Sequence, residues 1–355
     1  MASSAERDRR KKTDIPFAIM FSMWGVSPLL LLVLVLLGLQ GLALSPVPAT
    51  PRRDPQIIRS EVDLVVLPVT VTDHHGDFVP GLTKEDFRVY ENGRLQTITL
   101  FRHEDEPVAV GLVVDCSGSM SPNRNEVVEA AKDFLLSSNP ADEVFVVNFN
   151  ERASLGLPPT IAFTSSVSQL EDAVLGGPTS GETALYDALA LGLKHLATGA
   201  KVKKALLLIS DGGDNASHEN FQQILTLAQR NNTIVYAIGI LSDTAADVNP
   251  GLLRKLAKAT GGRAYFPKSA AEVPALCKQI ARDLREQYTI GYTPSDRAHD
   301  GTYRAIRLDL LGPRRKSLVV RTRAGYYAPS DAPSGATSAA AESKRSMESA
   351  RLHDN

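Results

Sequence analysis

Asp115-Cys116-Ser117-Gly118-Ser119 sets one carboxylate and two hydroxyls at alternate positions of a short stretch. Asp211, in Ser210-Asp211-Gly212-Gly213-Asp214, offers a second carboxylate. Thr183 adds a third hydroxyl after the run Gly176-Gly177-Pro178-Thr179-Ser180-Gly181-Glu182. These are hard oxygen donors. With no thiolate or imidazole among them, the set suits Mg2+ first, with Mn2+ or Ca2+ as alternatives, and not zinc. Mg2+ takes one or two carboxylates and completes its octahedron with water, so one position stays open to a ligand from outside the chain. Taken singly, each residue has an ordinary explanation, a Ser in a turn or an Asp at a helix cap. Only a fold that brings them to one edge makes them a site.

The elements around them predict such a fold. Residues 108–114 (VAVGLVV) form the continuous apolar run of a parallel strand covered on both faces, and Asp115 follows directly. Residues 205–209 (ALLLI) repeat the pattern just before Asp211. Strand and helix alternate through this region. Helical spacing covers 126–136, 183–196, 217–229, 252–259 and 270–284, and strand patterns cover 143–149, 233–240 and 287–293. The expected class is α/β, a Rossmann-like, doubly wound, mostly parallel sheet with right-handed crossovers. Ligands of such sheets bind beyond the carboxyl ends of the strands, where Asp115 and Asp211 emerge.

Flanking segments read differently. Residues 57–106 predict a small preceding all-β domain, with strand patterns at 61–72, 87–90 and 96–101 and a hairpin at Asn92-Gly93, whose residues accept positive φ. Residues 107–293 make up the α/β domain. Residues 294–329 predict a β-hairpin extension, with strands at 303–311 and 317–323 joined through Gly312-Pro313, and residues 330–355 have the polar, Ala/Ser-rich composition of a disordered tail. At the other end, Arg7, Arg9, Arg10, Lys11 and Lys12 precede a stretch with no charge between Asp14 and Arg52, centred on LLLLVLVLL at 29–37. Residues 1–44 therefore read as a basic n-region with either a signal peptide or an uncleaved signal-anchor helix, followed by a Pro-rich linker at 45–56. The basic flank stays in the cytoplasm, which sends the rest of the chain across the membrane, to the periplasm, the cell surface or the medium.

Asp115, Ser117, Ser119, Thr183 and Asp211 match, one by one, the DxSxS…T…D pattern of a metal-ion-dependent adhesion site. The region from about 107 to 293 thus resembles a von Willebrand factor A domain. Thr183-Ala184-Leu185-Tyr186-Asp187-Ala188-Leu189, together with Gly81-Leu82-Thr83 and Tyr90-Glu91-Asn92-Gly93 in the preceding β unit, resembles the bacterial VWFA-related proteins of acidobacterial type. The resemblance implies that the serines and the threonine contact the metal, that the aspartates act partly through water, and that a partner's carboxylate completes the shell. Asp187 and Asp214 are expected to orient or cap their surroundings without touching the metal.

Other chemistries find less support. An aspartyl-phosphate enzyme needs a second Asp two residues after the first, and Ser117 stands there. Ser117 and Ser119 lack a G-x-S-x-G elbow, and His218-Glu219 has Gln222 where a zinc-protease helix needs His. Lys+Arg total 39 against 40 Asp+Glu, which leaves no cationic surplus for nucleic acid. Cys116 and Cys277 are too few for a disulfide framework and are expected as small buried hydrophobes. The expectation is a non-enzymatic, extracytoplasmic module whose metal accepts an acidic side chain from a protein partner, with a membrane contact through the N-terminal helix if it is retained. The alternative is a metal-stabilised scaffold subunit of an envelope assembly, and a hydrolase ranks third.

Overall fold

The structure is a computed structural model that describes residues 64–211, 213–240 and 249–330. The N-terminal apolar segment, the linker 45–56, the start of the first expected strand, Gly212 and the tail beyond 330 lie outside the described residues. Among the described residues no helix is long and apolar enough to cross a membrane.

In chain order the strands are β1 (Val65–Thr72), β2 (Phe87–Glu91), β3 (Arg94–Gln96), β4 (Ile98–Arg102), β5 (Val108–Asp115), β6 (Glu143–Phe149), β7 (Ala153–Leu155), β8 (Lys203–Ser210), β9 (Ile234–Gly239), β10 (Ala264–Tyr265), β11 (Tyr288–Tyr292), β12 (Tyr303–Leu310), β13 (Val319–Arg321) and β14 (Gly325–Tyr327). The α-helices are α1 (Arg124–Ser137), α2 (Val167–Leu175), α3 (Leu185–Leu196), α4 (Phe221–Arg230), α5 (Pro250–Thr260) and α6 (Val273–Arg285).

The central sheet has the order β10-β9-β8-β5-β6-β7, parallel except for β7, which pairs antiparallel with β6. Every residue of β5 is buried, as its unbroken apolar run requires of a strand covered on both faces. Helices α1, α2 and α6 pack with one another, and α3, α4 and α5 form a second group, so the sheet is sandwiched between two layers. Three α-helix starts carry a side-chain cap. Asn220 caps α4, accepting from the N–H groups of Gln222 and Gln223, while the Gln223 side chain reaches back to the Asn220 N–H. Pro250 opens α5 behind the Asn249 cap. Helix α2 carries no expectation from sequence. It buries Leu170, Ala173 and Val174 behind a Ser166 cap.

Two further four-stranded sheets, β13-β1-β11-β4 and β14-β12-β2-β3, share a separate apolar core that includes Leu67, Val69, Phe87, Val89, Tyr288, Ile290 and Tyr292. Two expectations are corrected here. The strand expected to close the α/β series, β11, instead pairs antiparallel with β1 and β4 in this sandwich. Its alternation explains why, since Tyr288, Ile290 and Tyr292 point one way into a single core. The expected C-terminal hairpin is absent. Strand β12 pairs with β2 and β14, whereas β13 pairs with β1, because the Gly312–Ser317 connection, with its short helix at Pro313–Ser317, carries the chain from one sheet to the other. The Asn92-Gly93 turn forms as expected, with φ of 47° and 80°.

Candidate metal centre

Strand β5 delivers Asp115 to its carboxyl end, and the chain then turns sharply. The Asp115 carboxylate accepts the Ser117 N–H through Oδ1 at 2.9 Å and the Ser210 hydroxyl through Oδ2 at 2.5 Å. Ser117 Oγ lies 3.1 Å from Ser119 Oγ, at the start of a 3-10 turn at Gly118–Asn123. Ser117 is buried and Ser119 is exposed, so the pair runs from the interior to the surface.

Thr183 lies two residues before α3 and is held from two sides. Its N–H donates to Asn215 Oδ1 at 2.8 Å, and its carbonyl accepts from the N–H groups of Asn215 at 3.0 Å and Ala216 at 3.2 Å. Asn150, just after β6, accepts the Ala184 N–H on its own carbonyl and donates from Nδ2 to the Ser180 carbonyl at 2.8 Å. Arg124, at the start of α1, donates to the carbonyls of Pro178, Gly177 and Leu175 and so pins the glycine-rich run. The serine loop joins this run through Gly118 N–H to the Gly181 carbonyl and Ser121 Oγ to the Thr179 carbonyl. The three loops carrying Asp115, Thr183 and Asp211 are thereby knitted into one surface by the chain's own hydrogen bonds.

Asp187 and Asp214 each accept hydrogen bonds from the loop after β8. The Asp187 carboxylate accepts the N–H groups of His218 and Glu219 at 2.8–3.1 Å and pairs with the His218 ring at 3.0 Å. Burial acts against its charge, but these donors prevail and hold the carboxyl below its ordinary range. Asp214 Oδ1 accepts the Ser217 hydroxyl at 2.5 Å, and Ser217 Oγ in turn accepts the Tyr186 N–H at 2.9 Å. Both aspartates bind the loop after β8 to the N-terminus of α3. Ser210, Asn150, Asn215 and Arg124 were not singled out from sequence. Strand-end placement alone could have flagged Ser210 and Asn150, whereas Arg124 leaves no local signal.

Asp115 is 3% exposed and Asp211 5%. Burial pushes the Asp115 carboxyl up to about 6, against the downward pull of the Ser210 and Ser117 hydrogen bonds, and the Asp211 charge raises it further. Among the described residues neither carboxylate has an ion-pair partner. Two neighbouring buried carboxylates without a cation are an electrostatic deficit that a divalent ion between hydroxyls would cancel. No group of three or more His, Cys, Asp or Glu that could hold a metal occurs among the described residues, and the oxygens beside the two carboxylates are hydroxyls and backbone carbonyls. The donor set fits Mg2+ on that ground. Cys116 is buried and free, and burial pushes its thiol up to about 11, away from thiolate chemistry; Cys277 is also buried and free.

Residues 110–279 match the family model of the von Willebrand factor type A domain. An uncharacterized protein of Borreliella burgdorferi is 26% identical over 178 residues, 43% of this chain and 52% of that protein, so the chain spans about half the length of this relative. Among solved structures, a von Willebrand factor type A protein from Catenulispora acidiphila aligns over 69% of this chain and 74% of its own, with 16% identity and a TM-score of 0.45. The von Willebrand factor domain of the type V pilus tip protein Mfa5 from Porphyromonas gingivalis aligns over 50% of this chain and 95% of its own, with 13% identity and a TM-score of 0.40.

Proposed function

We propose that this chain, whose residues 110–279 match the von Willebrand factor type A domain, is a metal-dependent protein-binding module working outside the cytoplasm. Asp115, Ser117, Ser119, Thr183 and Asp211 would hold the ion, Mg2+ first and Mn2+ or Ca2+ as alternatives. The observation that carries this reading is the pair of buried carboxylates, Asp115 and Asp211, beside hydroxyls and with no cationic side chain within ion-pair distance among the described residues. When bound, the metal supplies an electrophilic coordination position that an acidic side chain of a protein partner can occupy. The chain's own residues do the rest. Ser119 and the glycine-rich run expose the position, the Asn215 and Asn150 hydrogen bonds fix Thr183 and its neighbours, and Ser210 orients Asp115. Export rests on the basic and apolar N-terminal pattern, with residues 1–44 either removed or kept as a membrane anchor.

A purely structural role for the metal is disfavoured, because the three loops already hold one another through protein hydrogen bonds. Peptide selection on the purified protein separates the two roles. In Mg2+, enriched peptides should share an acidic side chain, and enrichment should vanish in EDTA and with Asp115→Ala. Peptides enriched equally in EDTA, or without any acid, would contradict the reading. A melting temperature that collapses in EDTA would favour the scaffold role.

A further inference from the structure

A cavity of about 420 Å³ lies away from the metal centre, between the start of β8 and the sandwich strands. Its volume is in the range of small-molecule sites. Five cationic side chains line it, Lys203, Lys204, Arg297, Arg304 and Arg323, against two carboxylates, Glu106 and Asp296. Not all of that charge is available. Arg304 is spent on Glu91, on Asp296 and on the Ala298 carbonyl, and the Lys203 ammonium donates to the Leu284 carbonyl. The buried Glu91 is also taken, accepting the Tyr292 hydroxyl at 2.7 Å and the Tyr326 hydroxyl at 2.9 Å.

Arg323 is different. It is 9% exposed and lines the cavity, yet no carboxylate lies within ion-pair distance of it among the described residues. One terminal nitrogen donates to Asn232 and the other to the Val66 carbonyl at 3.1 Å, while its buried Nε has no partner. Burial lowers its guanidinium to about 10, partly offset by the neighbouring tyrosines, so at neutral pH it stays a buried cation without a counter-ion. Leaving such a group unpaired is costly, and the fold still holds it rigidly. The Ala324 N–H donates to the Ala259 carbonyl at 2.9 Å, Thr322 Oγ1 donates to the Pro68 carbonyl at 2.9 Å, and Gly261 (φ 87°) presses against the Thr322–Arg323 backbone. Lys204, half-buried at the start of β8, has no ion-pair partner among the described residues. Leu64, Val65, Pro68 and Tyr327 supply apolar wall.

We propose that this cavity binds a small organic acid, with its carboxylate or phosphate oxygens against Arg323 and Lys204 and its apolar body along the wall formed by Leu64, Pro68 and Tyr327. The probes are benzoate, phenyl phosphate, inorganic phosphate and the neutral control phenol, titrated calorimetrically into the intact protein. One or both aromatic anions should bind saturably and more tightly than inorganic phosphate, with no binding by phenol, and their order tells carboxylate from phosphate. Arg323→Gln should weaken binding by about tenfold or more, and Lys204→Gln by about threefold or more, as loss of charged hydrogen bonds implies. Asp115→Ala should leave it unchanged, which keeps this site separate from the metal centre. Should Arg323→Gln fail to fold, Lys204→Gln and Tyr327→Ala carry the test. Absence of saturable binding of either aromatic anion by the wild type at millimolar concentrations overturns the proposal. So does affinity unchanged in every folded variant.

Discussion

Asn215 grips Thr183 on both sides of one residue, its Oδ1 accepting the Thr183 N–H at 2.8 Å and its own N–H donating to the Thr183 carbonyl at 3.0 Å. The loop after β8, which carries Asp211, therefore positions the threonine that belongs to another loop 32 residues earlier. Asn215→Ala should keep the fold, with a stability loss of about 1 kcal/mol for the part-buried hydrogen bond. It should weaken Mg2+ binding by about tenfold or more, the scale seen when a partner that orients a ligand is removed. Denaturant melts and a metal titration on the same variant check both.

Asp283 on α6 and Arg321 on β13 form a largely buried ion pair at 2.8 Å that joins the α/β core to the sandwich sheet. Asp283→Asn leaves a buried guanidinium without its partner and should lower stability by about 3–5 kcal/mol. The double variant Asp283→Asn with Arg321→Met should recover part of that loss. A double-mutant cycle in urea reads the coupling directly.

Lys203 gives a pH signature. Burial holds its ammonium down to about 8, only partly offset by the charges of Glu106, Asp142 and Asp105. The unfolded chain keeps this proton up to about pH 10.5, so between pH 8 and 10.5 the unfolded state binds more protons than the folded one. Stability should accordingly carry a term that is flat below pH 8 and rises with pH across that window. Lys203→Met should remove the rise. Parallel stability-versus-pH curves that differ by a constant would contradict the assignment.

Gly261 ends α5 with φ of 87°, and a Cβ there would meet the Thr322 and Arg323 backbone at 2.7–2.8 Å. Gly261→Ala combines left-handed strain with a backbone clash and should lower stability by about 1–3 kcal/mol. A thermal melt with near-normal far-UV dichroism is the check.

Much of the α/β half was legible because burial on both faces leaves an unmistakable mark. Val108 to Val114 and Ala205 to Ile209 are apolar without interruption; the first ends next to Asp115 and the second is separated from Asp211 by Ser210 alone. Strand β11 departs from the expectation because its apolar content suits either a parallel strand or one face of a sandwich, and its partners β4 and β1 lie about 190 and about 220 residues earlier. Remoteness in sequence likewise hides the Arg323 cavity, and the Asn215–Thr183 clasp, though only 32 residues apart, joins two loops with no shared pattern. No local pattern records that Asn232, Val66 and Arg323 meet. Helix α2 escaped notice because its small buried face of Leu170, Ala173 and Val174 sits among serines and acids.

Asp115 and Asp211, with the hydroxyls of Ser117, Ser119 and Thr183, are proposed to hold one divalent ion. Titration of Mn2+ into the purified protein, followed by the loss of the free-ion electron paramagnetic resonance signal and competed with Mg2+, measures it. One site per chain is expected, displaced by Mg2+, and weakened by about a hundredfold or more in Asp115→Ala and about tenfold or more in Thr183→Ala. A wild type that leaves millimolar Mn2+ free, or binding that survives both substitutions unchanged, would contradict it.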